Sequence, residues 1–288
     1  MCEGFEGFMR LIKLVRDERV RGASWCGEKV VEAFLVLANK CVDLGKYMPI
    51  AVREALASNP TMASIYNVTY IASKLSDDRE ALINAMRRLK DYFRSAKELV
   101  AKNAVGIISG NVMTISYSST VLTVLTKVKD GLGKVYVMVS KPGGEGVVMV
   151  KRLRGLGINA VPIHDTLVAK YVTHVDNVVM GADAIGKDGC VINKVGSYTL
   201  ALLANQAGVD TYVATEIIKY HPERTCHNIE ILSREFTVEG YGEVKEPVFE
   251  EVPTSLIKAL ITDYGITSPM YEDLLEMYRN FIKDYLTS

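Results

Sequence analysis

Short segments rich in hydroxyls, lysines and glycines recur along this chain at spacings suited to holding a phosphate. They are Ser116-Tyr117-Ser118-Ser119-Thr120, Ser140-Lys141-Pro142-Gly143-Gly144-Glu145-Gly146, His164-Asp165-Thr166 and Gly181-Ala182-Asp183-Ala184, the last running on to Asn193-Lys194-Val195-Gly196. The first offers hydroxyls just ahead of a helix N-terminus, where free backbone N–H groups and the helix dipole favour an anion. The second adds Lys141 and glycines that let the backbone approach a ligand closely. Lys194, with Gly196 at the next helix start, supplies another cation. Taken singly, each has a plainer explanation: a Ser-rich turn is usually an N-cap, Lys-Pro-Gly-Gly a solvated turn, and a lone lysine a surface charge. Asp183 is different, because it closes the apolar run 178–182, where an unpaired carboxylate is costly to bury. Either it caps a helix, or it faces a pocket as an acid, a base or an acceptor for a hydroxyl.

Other chemistries find less support. No Gly-x-Gly-x-x-Gly follows a strand, so neither a dinucleotide nor any other cofactor is expected. His221, Cys226 and His227 match no standard metal spacing, and no metal site is expected. A Ser-His-Asp set built from Ser116, His164 and Asp183 lacks the strained nucleophile elbow. The five cysteines are scattered and contain no Cys-x-x-Cys pair, which reads as reduced thiols in a cytosol. No basic segment followed by an apolar stretch opens the chain, and the apolar run 30–38 is short and carries Glu32, so a cytoplasmic protein without a membrane partner is expected. Lys plus Arg equals Asp plus Glu at 34 each, and no overall field draws the chain to nucleic acid.

The elements that must position these segments follow from periodicity. Through residues 5–105 the apolar spacing is helical, as in Phe8, Leu11, Ile12 and Val15, or Val31, Phe34, Leu35 and Ala38. A break at Arg21-Gly22-Ala23-Ser24 separates two helices, with Ser24 expected as an N-cap. Ser58-Asn59-Pro60 stops a third helix, and the spacing of Asp77 and Glu80 predicts a capping box opening a long helix to about residue 102. From Gly106 the pattern changes to short apolar strands at 112–116, 134–140, 159–164, 177–183 and 210–216, alternating with helices. That alternation predicts βαβ units in a parallel sheet covered on both faces. The fold class is therefore α/β, with an N-terminal helical domain (1–104) followed by a Rossmann-like parallel α/β domain (105–288). In such sheets ligands lie beyond the carboxyl ends of the strands, where the phosphate-friendly segments fall.

Read together, the motifs resemble one family: the alpha, beta and delta regulatory subunits of translation initiation factor 2B, especially their archaeal relatives. The related sugar-phosphate enzymes are ribose-1,5-bisphosphate isomerase and methylthioribose-1-phosphate isomerase. The resemblance rests on Arg21-Gly-Ala-Ser-Trp25, Asn59-Pro-Thr-Met-Ala-Ser64, the stretch 114–122, Lys141-Pro-Gly-Gly-Glu-Gly146, the stretch 181–197 and the stretch 248–257. It implies a helical domain followed by a dimerising Rossmann-like domain. It also implies a phosphate-ligand pocket built from Arg21, Gly22, Ala23, Asn59, Thr61, Tyr117, Ser118, Ser119, Lys141, Glu145, Gly146, Asn193 and Lys194. In the isomerases catalysis is attributed to a cysteine after the first strand, acting with the aspartate of Gly-Ala-Asp. This sequence keeps Asp183, Asn193 and Lys194, but the cysteine position is Ser116, whose hydroxyl effectively cannot ionise. Asn59 and Lys141 stand where arginines are usual, so a bidentate phosphate fork becomes an amide in one place and a point charge in the other. These departures favour the regulatory branch, with a phosphorylated small molecule, a second copy of the chain and translation initiation factor 2 as its partners. An active aldose–ketose isomerase using Asp183 with Ser116 is the alternative, and a scaffold with a vestigial pocket is a third reading.

Overall fold

The computed structural model describes residues 2–286. Helices α1 (Glu3–Asp17), α2 (Ala23–Lys40), α3 (Leu44–Ser58), α4 (Ala63–Lys74) and α5 (Arg79–Asn103) come first. Their apolar stripes meet in one core: Phe8, Ile12 and Val15 of α1 are buried against Val31, Phe34 and Ala38 of α2, while Leu11 and Leu35 lie at its margin. Two helix starts differ from expectation. Gly22, not Ser24, is the N-cap of α2, because Ser24 turns its hydroxyl inward to a buried carboxylate at 2.8 Å. Asp78, not Asp77, caps α5, accepting from the Ala81 amide at 2.9 Å, so Glu80 falls one place short of closing a capping box.

The chain then alternates β1 (Gly110–Ile115), α6 (Ser119–Lys127), β2 (Leu132–Met138), α7 (Gly146–Gly155), β3 (Ala160–Ile163), α8 (Val168–Tyr171) and β4 (Asn177–Met180). After these come β5 (Ala184–Ile185), β6 (Val191–Lys194), α9 (Ser197–Gln206), β7 (Asp210–Ala214), β8 (Ser233–Val238), β9 (Gly242–Pro247), β10 (Phe249–Val252), β11 (Ala259–Thr262), β12 (Gly265–Thr267) and α10 (Tyr271–Leu286). The main sheet has seven strands in the order β12-β11-β7-β4-β1-β2-β3, all parallel except β12, which runs antiparallel to β11. Strand order reverses direction between β1 and β4, which pair in parallel, so their carboxyl ends flank the crevice where ligands bind in doubly wound sheets. The segment after β4 is more than a loop. It folds as the β5–β6 hairpin, joined by β10 into a small antiparallel sheet.

The last helix returns to the helical layer. Phe281 of α10 is fully buried, its ring 5.0 Å from that of Tyr92 on α5, and the Tyr278 hydroxyl donates to Asn67 Oδ1 at 2.8 Å. The expectation of unpaired thiols is corrected: Cys2 is bonded to Cys41 and Cys190 to Cys226, leaving Cys26 free and buried. The Cα separations of 5.8 and 6.1 Å fall in the disulfide range, and partners 39 and 36 residues apart leave no local sequence signature. Among the described residues no helix is long and apolar enough to cross a membrane.

Candidate functional site

A cavity of about 320 Å³ opens at the switch point between β1 and β4 and is walled on the other side by the N-terminus of α2. Backbone geometry at the strand ends shapes its floor. Ser116, directly after β1, and Ser140, two residues past the end of β2, hold φ of 61° and 66°, a left-handed conformation that non-glycine residues seldom adopt. Side chains fix both turns. The Ser116 amide donates to Ser140 Oγ at 2.7 Å, and the Ser140 and Lys141 amides donate to the two oxygens of Asp165 at 2.8 Å each. Ser118 caps α6 by accepting from the Val121 amide, and the other first-turn N–H groups of a helix have no partner within it. Gly181 lets the end of β4 approach this cap, since a Cβ there would lie 2.6 Å from Ser118 Oγ.

Asp183 follows β4 and is buried facing the cavity. Burial pushes its carboxyl up to about 6, while Lys219, the Ala23 amide at the start of α2 and Lys194 pull it down and Glu145 adds to the rise. It titrates near neutrality, as a group that exchanges protons with a ligand must. Lys194, at the end of β6, pairs with Glu145 at 3.1 Å, both almost wholly buried. Asn193 donates to Ser197 Oγ at 2.8 Å, which ties the hairpin to α9. The first turn of α9 is already filled by a carboxylate, because Glu250 Oε1 accepts from the Gly196 and Tyr198 amides at 2.7 and 2.8 Å.

Most of the residues expected to bind a ligand are brought together here: Arg21, Gly22, Ala23, Ser116, Tyr117, Ser118, Ser119, Glu145, Asp183, Asn193 and Lys194 all line the cavity. Four do not. Asn59 is buried at the C-terminal cap of α3. Thr61 spends its hydroxyl on the 230–232 segment, donating to Glu230 O at 2.7 Å and accepting from the Leu232 amide at 2.8 Å. The Lys141 side chain is exposed beside the cavity rather than in its lining. Gly146 is needed for close packing, since a Cβ would meet Met138 O at 1.9 Å. His221, Cys226 and His227 do not converge. The His221 ring stacks on Tyr66 at 4.1 Å, and Cys226 is bonded to Cys190. Among the described residues the metal-like grouping is Asp188 with these two cysteines, whose sulfurs are already joined.

Other lining residues lay outside the sequence reading. Lys219 follows β7 and is paired with Glu216 at 2.7 Å, so the rule about strand carboxyl ends that picked out Asp183 could have found both. Arg234 and Phe236 reach the cavity from the β8–β9 hairpin, where Arg234 donates to Glu18 O at 2.6 Å. Nothing in their local sequence marks them. With Arg19, Arg21, Lys194 and Lys219, Arg234 makes the lining rich in cations, balanced in part by Glu18, Glu145 and Asp183. Cations, an open helix N-terminus and a carboxyl that titrates near neutrality together suit a phosphorylated small molecule bearing hydroxyls.

Comparison with known proteins bears on the same region. The sequence profile described as "Initiation factor 2 subunit family" matches residues 19–269. A translation initiation factor eIF-2B subunit 2-like protein of Pyrococcus furiosus is 33% identical over 270 residues, covering 92% of this chain and 97% of the relative. A ribose 1,5-bisphosphate isomerase of Archaeoglobus fulgidus is 28% identical over 283 residues, covering 92% and 90%. Among solved structures, the translation initiation factor eIF-2B of Pyrococcus horikoshii superposes with a TM-score of 0.87 at 29% identity, over 93% of this chain and 98% of that one. The 5-methylthioribose 1-phosphate isomerase of the same organism shares the fold, with a TM-score of 0.73 at 18% identity over 96% and 88%.

Proposed function

This chain belongs to the Initiation factor 2 subunit family, and from that footing we propose that it is a non-catalytic regulatory subunit of the initiation factor 2B type. In this reading the cavity beside Asp183 binds a small phosphorylated ligand, a sugar phosphate or a nucleotide. The chain pairs with a second copy through its C-terminal domain and contacts translation initiation factor 2. The observation that carries the reading is position 116. The turn after β1 keeps its left-handed backbone and faces the cavity, yet it presents a hydroxyl where enediol-type proton shuttling needs a group that titrates near neutrality. The hydroxyls, lysines and open first turn of α6 support ligand binding without chemistry.

Thermal melting in the presence of ribose-1,5-bisphosphate, methylthioribose-1-phosphate and AMP tests the reading. A ligand at about 100 times its Kd adds roughly 2.7 kcal/mol of stability, which such a melt resolves. No shift with any of the three removes the ligand-binding proposal. Light scattering that gives a monomer at micromolar concentration removes the dimer. The alternative, an active sugar-phosphate isomerase, is favoured by Asp183 alone, whose carboxyl titrates at about 6 and could move a proton between neighbouring carbons.

A further inference from the structure

Behind the cavity lies a buried charged group that none of the site chemistry above has used. Glu216 is fully buried, and one of its oxygens, Oε1, accepts from Ser24 Oγ at 2.8 Å and from Thr120 Oγ1 at 3.0 Å. Ser24 is the second residue of α2 and Thr120 the second residue of α6. The two helices that start at the cavity, one from the helical layer and one from the sheet layer, are therefore joined through one carboxylate. Its other oxygen pairs with Lys219 at 2.7 Å, and Lys219, itself 2% exposed, lines the cavity. The segment carrying both residues is anchored from behind: Asp263, just after β11, accepts from the Ile217 amide at 2.8 Å, and the Tyr92 hydroxyl of α5 donates to Asp263 at 2.7 Å.

We propose that Glu216 is the positioning residue of this site: it fixes the gap between the first turns of α2 and α6 and holds Lys219 as the internal counter-charge to Asp183. The argument is one of geometry and cost. A buried carboxylate without partners would be expelled or neutralised, and Glu216 persists because one oxygen is hydrogen-bonded by Ser24 and Thr120 while the other is ion-paired with Lys219. Burial alone would raise its carboxyl, yet Lys219, Lys97 and the hydrogen bonds from Lys219 and Ser24 together hold it down at about 2, so it stays charged at any physiological pH. Loss of this group frees two helix starts at once, which a residue that merely filled space would not do. Lys219 cannot follow a ligand outward while Glu216 holds it. It acts from a fixed place on Asp183, for which it is the leading charge favouring ionisation, ahead of Lys194 and against Glu145.

Two variants separate this role from a general contribution to folding, and neither requires the ligand. Glu216→Ala removes the joint. Paired replacement by Glu216→Gln and Lys219→Met keeps an oxygen that can accept from Ser24 and Thr120 but deletes both charges. In Glu216→Ala, hydrogen exchange of the first-turn amides of α2 and α6 should accelerate together, by about tenfold or more, at a temperature well below the melt. In the paired variant exchange at both places should remain within about threefold of wild type, while the carboxyl titration of Asp183, followed by carbon-13 NMR, moves to higher pH. Should Glu216→Ala fail to fold, the paired variant still decides, because the proposal requires protected first turns and a displaced Asp183 titration in the same protein. Unchanged exchange in Glu216→Ala, or an Asp183 titration that stays put in the paired variant, overturns the assignment.

Discussion

Asp183→Asn should make this protein more stable, and only above a definite pH. In the native state burial holds the Asp183 carboxyl at about 6, against 3.8 in an unfolded chain. As pH rises, the unfolded chain gives up this proton first, so the native state loses stability between about pH 4 and pH 6. At about 1.4 kcal/mol for each tenfold difference in proton affinity, the gap amounts to about 3 kcal/mol at neutral pH and above. Asparagine resembles the protonated acid in size and keeps an oxygen that can accept from the Ala23 amide. The variant should match the wild type near pH 4 and exceed it by roughly 2–3 kcal/mol near pH 8. Asp263, also raised to about 6 by burial, and Glu216 titrate in both proteins and cancel from the difference. Urea unfolding of the two proteins at both pH values measures it, with the midpoints compared at equal slope. An Asp183→Asn protein equal to or weaker than wild type near pH 8 would refute the reasoning. It would mean that the ionised carboxylate is held by its lysines strongly enough to outweigh its burial.

Three further outcomes follow from other parts of the molecule. Wild-type turnover of ribose-1,5-bisphosphate should be little or none and Ser116→Cys should raise it, because a missing acid or base typically costs ~10²–10⁴-fold; wild-type turnover within about tenfold of that variant would sink the non-catalytic reading. Reducing the Cys2–Cys41 bond, or Cys2→Ser, should lower stability by up to about 4 kcal/mol in the chain-entropy account of a closed loop with partners 39 residues apart, read as a lower melting temperature with reductant than without. His221 is held down to about 4 by burial and by Arg224, and its Nδ1 accepts from the Arg224 amide at 3.2 Å, so the native state should lose about 3 kcal/mol as pH falls from 6.5 towards 4. A ring titration by NMR with a midpoint above 6 would contradict that.

How far the sequence made the fold readable depended on whether each signal was local. The helical stripes of α1 and α2 and the apolar strands β1, β2, β4 and β7 follow from the period of burial, and those strand ends delivered Ser116, Ser140 and Asp183 to one side of the sheet. Helix α10 is equally legible, since Leu274, Tyr278 and Phe281 recur at i, i+4 and i+7, although no individual element beyond residue 257 is named from the sequence. The disulfides, the inward turn of Ser24 and the reach of Arg234 across to Glu18 depend on residues far apart in the chain, and no spacing reports them. Thr61 is a further case: the resemblance implies a ligand residue there, and its partners at 230 and 232 come from a segment that only the fold brings near.

On the non-catalytic reading, the turn at Ser116 is where binding and chemistry separate. A serine at φ 61° has left the favoured backbone regions, at a cost on the order of 1–2 kcal/mol, and such a conformation persists only where the surroundings enforce it. Here they do so fully: Ser140 Oγ holds the Ser116 amide, Ser140 itself sits at φ 66°, and Asp165 holds the amides of Ser140 and Lys141. That construction would serve a reactive thiol, but it does not depend on one. Position 116 enters this network through its backbone amide, held by Ser140 Oγ, so substitution of its side chain should leave the turn and the first turn of α6 where they are. A change of one side chain can therefore remove proton handling while leaving the anion-binding frame intact, and Ser116→Cys with an otherwise native chain tests whether it can restore it.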